Sequence, residues 1–189
     1  MIIKESNTQV GLGDLVLRFE DAQPIEVTVY TANRPPVAPF DIADGVIPLE
    51  PADVAYIAQM TGNHWRKVFN VYAKLIHYTF PFYDAWQTYR DYCLLQIRSG
   101  TRLLYSAPKL NQLEAGIHLV MGKQFAEQCG LGFDDISTYQ QLSPRLFKHK
   151  ELPLWVTPYF DYRQLNNEQI EILGQSIRHY CKQQGMLYS

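Results

Sequence analysis

Four short apolar runs, each ending at turn residues, constrain the fold of this 189-residue chain more than any other feature. Such runs are typical of buried strands in a parallel sheet. Segments with helical spacing separate them, which predicts helices on both faces of the sheet. We therefore expect a single α/β domain over residues 1–189, a three-layer αβα sandwich with a mostly parallel central sheet of about four strands. The runs are IEVTVYTA (25–32), TRLLYS (101–106), GIHLVMG (116–122) and LPLWVTP (152–158); DLVLRF (14–19) is a candidate edge strand.

Capping residues predict where the first three helices begin and end. Pro51 suits the first position of one helix, and Asn63 and Asp84 suit the caps of the next two. We expect the third helix to bury Ile97 and to end at Gly100.

Two later helices follow apolar runs. KQFAEQCG (123–130) is predicted to be a helix that closes at Gly130. The segment 166–185 has the strongest helical pattern, and Asn166 followed by Gln169 resembles a capping box.

Charge and cysteine content limit the classes of partner. The net charge of −2 gives no overall basic field, so a contact with nucleic acid would need a local patch. The three cysteines show no ligand or disulfide spacing, which predicts reduced thiols in a cytoplasmic protein. The N-terminus lacks a signal-peptide pattern and no apolar run could span a membrane. Walker, GxSxG and HExxH motifs are absent, so we expect no cofactor and no metal.

Ligands of parallel sheets bind beyond the carboxyl ends of the strands. The segment TANRPPVAPF (31–40) begins at such an end, and its three prolines would stiffen a loop with Asn33 and Arg34 at its root. A turn asparagine that bonds its own backbone would explain Asn33 equally.

Three other segments combine polar, cationic and aromatic residues. GNHWRKVFN (62–70) is either an ordinary amphipathic helix with solvated cations or part of a site. In MGKQFAEQ (121–128), Lys123 at a helix start could attract an anion. In TPYFDYRQLN (157–166), the aromatic residues either stack on bases or wedge the loop onto the body, with Asp161 and Arg163 paired. A positive rim would form if the cations on these loops converge: Arg34, Arg66, Lys67, Lys109, Lys123 and Arg163.

Taken in order, these segments resemble the uracil-DNA glycosylase superfamily, nearest to its mismatch-specific branch. Members have a G-x-N-P or G-Q-D-P-type loop, a G-N-R-F-W-like helix start, a GK-type turn, and an N-P-S or H-P-S motif before the final helix. The counterparts, which span most of the chain, are TANRPP (31–36), GNHWRKVF (62–69), LVMGKQFAEQ (119–128) and TPYFDYRQLN (157–166).

The resemblance implies hydrolysis of an N-glycosidic bond after base flipping, with DNA or a nucleotide as partner. Asn33 would orient the attacking water, so that catalysis would depend on positioning and electrostatic stabilisation. Phe40 would stack on the base, and Lys123 and Arg163 would contact phosphates. The matching motifs also contain the other expected substrate-binding residues: Arg34, His64, Pro158 and Tyr159.

Five positions depart from the family pattern, one of them an extra Arg34 before the proline of the first motif. Thr31 and Ala32 replace glycines, Thr157 stands in place of His or Asn, and Tyr159 replaces a serine. These departures favour shared fold over retained hydrolysis. Two rival interpretations follow: a protein-interaction module that kept the scaffold and filled its pocket, or an unrelated small-molecule enzyme on a similar sheet.

Overall fold

The computed structural model describes residues 9–17, 25–81, 83–113 and 115–186. These residues form a mixed α/β structure with one eight-stranded sheet and five α-helices. The strands are Gly11–Leu17 (β1), Val27–Tyr30 (β2), Val46–Ile47 (β3), Ser99–Leu104 (β4), Ile117–Met121 (β5), Tyr139–Ser143 (β6), Leu146–His149 (β7) and Leu154–Thr157 (β8). The helices are Asp53–Thr61 (α1), Asn63–Thr79 (α2), Trp86–Tyr92 (α3), Lys123–Gln128 (α4) and Asn167–Gln183 (α5).

The four predicted strands form the centre of the sheet. The complete order is β3-β1-β4-β2-β5-β8-β7-β6, and the neighbours within β4-β2-β5-β8 are parallel. The candidate edge strand at 14–19 overlaps β1, although its last two residues lie outside the described ranges.

The expectation of about four strands was wrong, and the sheet is mixed rather than mostly parallel. β1 pairs antiparallel with β4, and β6, β7 and β8 form an antiparallel run at the opposite edge. The missed strands lack continuous apolar runs, because β3 has two half-buried residues and β6 exposes Gln140 and Gln141.

Apolar side chains cover both faces of the sheet. Val29 of β2 and Leu119 of β5 belong to a core cluster that includes residues of α1, α2, α3 and α5. Tyr30 and Val120, the next residues along the same strands, belong to a second cluster with Ala126 of α4. Successive side chains of a strand point to opposite faces, so the two clusters lie on opposite sides of the sheet. The finer expectation of a three-layer sandwich stays a prediction.

Helix α2 is fixed to the sheet and to α5 by close contacts. The buried hydroxyl of Tyr72 donates to the carbonyl oxygens of Val27 and Arg102, at 2.9 and 3.0 Å, and so ties α2 to β2 and β4. A Cβ on Gly174 would lie 2.6 Å from the ring of Tyr78, and the missing side chain lets α5 approach α2 closely. These contacts hold the middle and the C-terminal end of α2 against the sheet and α5.

Several helix boundaries differ from the predicted ones. α1 begins at Asp53 rather than Pro51, and α2 is capped by Gly62, with Asn63 as its first residue. The predicted third helix was too long: α3 ends at Tyr92, and Ile97 is 58 % exposed.

The predictions for the last two helices were confirmed more closely. α4 occupies the predicted segment and its C-cap is Cys129, immediately before Gly130. In α5, the Asn166 side chain accepts a hydrogen bond from the backbone N–H of Gln169 at 3.0 Å, as the capping pattern predicts.

Candidate functional site

A cleft of about 420 Å³ lies at the carboxyl ends of β2, β5 and β8. Because β5 pairs in parallel with both β2 and β8, the loops that follow the three strands emerge at one edge of the sheet. The volume falls within the range of small-molecule sites. The residues that line the cleft are Thr31, Ala32, Asn33, Met121, Gly122, Lys123, Gln124, Phe125, Gln128, Tyr159 and Gln164.

Three predicted site residues form a hydrogen-bonded chain beside the cleft. The Asn33 side-chain amide donates to the Tyr159 hydroxyl at 3.1 Å, and that hydroxyl lies 2.8 Å from Nε2 of His64. The rings of His64 and Tyr159 are also in contact, with centroids 5.3 Å apart. Residues separated by 126 positions in the chain thus meet across one crevice.

Tyr159 is suited to hydrogen bonding and stacking rather than to proton abstraction. Burial raises the pKa of Tyr159 above its ordinary value, and the hydrogen bond from Asn33 offsets part of the rise. Its phenol therefore stays neutral at physiological pH. The side chain is half-buried, so it leaves one part of the ring in contact with the cleft.

The turn after β5 brings the backbone of Gly122 and the side chain of Lys123 to the cleft. Gly122 has φ of 100°, a conformation that side-chain-bearing residues rarely adopt, and it caps α4. Lys123 follows at the cleft wall and lies 3.8 Å from the Glu127 carboxylate. α4 has only six residues, so the anion attraction expected of its N-terminus rests mainly on the exposed Lys123 side chain.

Sequence reasoning missed the glutamines of the cleft. Gln124 and Gln128 are separated by four positions on α4 and therefore share a helix face. Gln164 joins them from the loop after β8, and Phe125 adds an aromatic ring. The spacing of Gln124 and Gln128 directly after a predicted strand was the signal available for finding them.

Five predicted site residues lie outside the cleft lining; one of them is His64, which borders the cleft through its contact with Tyr159. Phe40 is only 2 % exposed and packs in the main core, so its ring is not presented to the cleft. Arg34 donates to the carbonyl oxygen of Asp41 at 2.6 Å and lies over the ring of Tyr105. Pro158 is buried, and the exposed Arg163 guanidinium lies 5.9 Å from the ring centroid of Tyr162.

The loop after β8 is held by an ion pair that the sequence analysis did not anticipate. Lys67 of α2 pairs with Asp161 at 2.8 Å. The alternatives left open for these segments included a solvated Lys67 and an Asp161–Arg163 pair, but not this ion pair. Arg163 contacts Asp161 through its backbone N–H at 2.9 Å. The hydrogen bonds from Lys67 and from that N–H lower the pKa of Asp161 below its ordinary value.

This lowered pKa predicts an acid-sensitive contribution to stability. Because the folded pKa is lower than the unfolded one, the contribution is complete above the unfolded pKa and disappears as pH falls through the folded pKa. We expect Asp161→Asn to lower the free energy of unfolding by roughly 1 kcal/mol or less at pH 7, since the pair is partly exposed. Urea unfolding of both proteins from pH 7 down to about pH 2.5 should show that difference shrinking. A difference that stays constant over this range would contradict the assignment.

The described part of the chain shows neither a metal centre nor a membrane-spanning helix. Among the described residues, no three or more His, Cys, Asp or Glu side chains are grouped so that they could hold a metal ion. No helix there is long and apolar enough to cross a bilayer. The three cysteines are free thiols.

Comparison with known proteins places the chain in a family without assigning it a reaction. No curated protein matches it, and no solved structure matches it. A family model described as a family of unknown function, DUF6942, matches residues 19–178. This match includes β2, β5 and β8 and all the residues that line the cleft. The chain therefore belongs to the DUF6942 family.

Proposed function

We propose that the cleft binds a nucleobase, free or as part of a nucleotide or nucleic acid, in a protein with a diverged uracil-DNA-glycosylase-like organisation. One observation carries this proposal: Asn33 after β2 and Tyr159 after β8 are hydrogen-bonded to each other at the wall of an open cleft. These are the residues at which the two outer motifs of the resemblance place a base-binding site. An open cleft also favours a ligand over a module whose pocket is filled.

The chemistry of the cleft wall supports a base as the ligand. Side-chain amides offer both hydrogen-bond donors and acceptors, which match the mixed edge of a base. Gln124, Gln128 and Gln164 supply three such amides. Phe125 and Tyr159 supply aromatic rings on which a base can stack.

The arrangement supports binding without hydrolysis. The side-chain nitrogen of Asn33 is engaged by Tyr159, and the residues that line the cleft include no carboxylate to activate water. Tyr159 stands where the family resemblance expects a small serine, so this part of the hydrolytic motif is not kept. We therefore assign recognition, and no bond cleavage, to this site.

Binding of nucleoside monophosphates tests the recognition step. We expect calorimetric titration of the wild-type protein to detect one or more of them, and Gln128→Ala to weaken that binding about three- to tenfold through loss of a hydrogen bond. Gln140→Ala, on the exposed face of β6, is the matched control and should bind like the wild type. Equal affinities for all three proteins, or no binding at millimolar ligand, would remove the proposal.

An incision assay tests the absence of hydrolysis separately. Oligonucleotides containing uracil or a mismatch should release no base with the wild-type protein, and Asn33→Ala should behave in the same way. Base release by the wild type that Asn33→Ala abolishes would contradict the non-hydrolytic assignment and restore Asn33 as the water-positioning residue.

A further inference from the structure

A second cavity, here called the basic groove, lies between α2, α3 and the loop after β8. Its volume is about 270 Å³. The residues that line the basic groove are Arg66, Lys67, Asn70, Val71, Lys74, Arg90 and Tyr162. Four of these seven side chains are cationic, although the whole chain carries a net charge of −2.

Helical spacing explains why the cations converge. The residues of α2 that line the basic groove recur at intervals of three or four positions, so they form one stripe along the helix. The stripe runs from Arg66 and Lys67 through Asn70 to Lys74. Arg90 reaches the same stripe from α3, where its guanidinium donates to the Asn70 side-chain oxygen at 2.6 Å. Opposite faces of these helices are buried in the core, so the stripe is fixed in place.

Neighbouring carboxylates neutralise only part of this charge. Asp161 pairs with Lys67, and Asp91 pairs with Arg90 at 2.7 Å. Four cations less two carboxylates leave a local charge of +2. Arg66 is exposed, and no ion pair joins it to another described residue.

Aromatic rings border the basic groove. Tyr162 is 54 % exposed, and the Lys67 ammonium lies 5.0 Å from its ring centroid. Trp86 flanks the cations of α2 and α3, with Lys74 and Arg90 at 5.1 and 5.4 Å from its ring. Tyr162 is the exposed ring of the two and Trp86 is half-buried. Cations beside an accessible aromatic ring form the combination by which proteins hold single-stranded nucleic acid without reading its sequence.

The basic groove adjoins the cleft. His64 and Lys67 are separated by three positions on α2, about one helical turn. The loop after β8 presents Tyr159 to the cleft and Tyr162 to the basic groove. If the base of a single-stranded nucleic acid enters the cleft, the phosphates of the next nucleotides would therefore lie toward Arg66 and Lys74.

We propose that the basic groove binds the phosphates of a single-stranded nucleic acid whose base occupies the adjoining cleft. The phosphate chemistry follows from the basic groove itself, and the choice of nucleic acid rests on the proposed function of the cleft. Arg66 and Lys74 pair with phosphates, and Tyr162 supports a neighbouring base by stacking.

Charge removal in the basic groove tests the inference. A fluorescein-labelled ten-nucleotide oligothymidylate should bind the wild-type protein in an anisotropy titration, with affinity falling as salt rises. The double variant Arg66→Gln/Lys74→Gln should bind about tenfold more weakly. The slope of log affinity against log salt concentration should become shallower by about 1.4, because each lost phosphate contact contributes about 0.7 to that slope. Arg145→Gln/Lys182→Gln removes the same charge from exposed positions outside the basic groove and should leave both quantities unchanged.

Two further measurements keep the test decisive. Arg66→Gln alone alters one exposed side chain and should still reduce affinity if the double variant fails to fold. Pyrophosphate probes the basic groove without a base, and it should compete with the oligonucleotide on the wild-type protein.

The outcomes separate the basic groove from the cleft. If the double variant loses affinity for the oligonucleotide and Gln128→Ala does not, the result would support phosphate binding by the basic groove. The same result would contradict base binding by the cleft. Equal affinities of the two double variants would overturn the proposal that the basic groove binds phosphates, whatever Gln128→Ala shows. Absence of oligonucleotide and pyrophosphate binding to the wild type would overturn it as well.

Discussion

Replacing Phe160 with alanine is expected to lower the free energy of unfolding by about 3–5 kcal/mol. Phe160 is fully buried and its ring packs edge-on against Tyr72, with centroids 5.8 Å apart. It follows Tyr159 directly, so it anchors the loop that forms one wall of the cleft. Its loss should leave a cavity and loosen that wall, and nucleotide affinity should fall together with stability. Urea unfolding followed by circular dichroism measures the first effect, and calorimetric titration measures the second.

Phe160→Leu provides the control for this prediction. Leucine fills most of the space, so the loss of stability should be roughly 1 kcal/mol and the cleft should keep its affinity. A loss below about 1 kcal/mol for the alanine variant would show that Phe160 does not anchor the loop.

Trp155→Ala is the second change with a large expected effect, a loss of about 3–5 kcal/mol. Trp155 lies on β8 and is fully buried. Its indole N–H donates to the Ser176 hydroxyl at 3.0 Å, and its ring packs edge-on against Tyr180 of α5. Removing the indole therefore weakens the contact between α5 and β8, the strand that leads into the loop with Tyr159. The measurement is the midpoint and slope of urea unfolding.

Trp155→Phe separates packing from hydrogen bonding at the same position. Phenylalanine keeps much of the volume but cannot donate to Ser176, so we expect a loss of about 1–3 kcal/mol. Equal losses for the alanine and phenylalanine variants would contradict a packing role for the indole.

The sequence predicted the central strands because each is a short segment that is rich in apolar residues and is followed by turn residues or a loop. The central strands are buried along their whole length: β2, β4, β5 and β8. Strands that are buried on both faces are rich in apolar residues in other parallel sheets as well. β6 and β7 carry polar, part-exposed residues, so the pattern gives no sign of them. β7 becomes a strand by pairing with β8, and β6 by pairing with β7, and a local pattern does not contain that information.

The prediction of where α3 ends was wrong for a related reason. Leu95 and Arg98 adopt positive φ values of 59° and 58°, which turn the chain back toward β4. Residues other than glycine and asparagine rarely take this conformation, so the sequence offers no warning. Leu95 is buried and hydrogen-bonded to Leu49, and these contacts hold the turn in place.

The general position of the cleft could be predicted, but not its full lining. Parallel strands bring the segments after them to one edge, and Asn33, Lys123 and Tyr159, which were selected on that basis, all line the cleft. The orientation of Arg34 depends on its bond to Asp41 inside the loop 31–45, and that of Phe40 on its packing in the main core. The glutamines of α4 lack the charge or nucleophilicity that draws attention in a sequence.

Side-chain amide resonances give the most direct test of the central claim, that a base binds between the loops after β2, β5 and β8. In a nitrogen–proton correlation spectrum, nucleoside monophosphates should shift the side-chain amide signals of Asn33, Gln124 and Gln128 with one shared dissociation constant. The signal of Gln140 on β6 should stay unchanged. Saturation of the protein with no change at Asn33, Gln124 and Gln128, or with changes confined to other residues, would contradict the account.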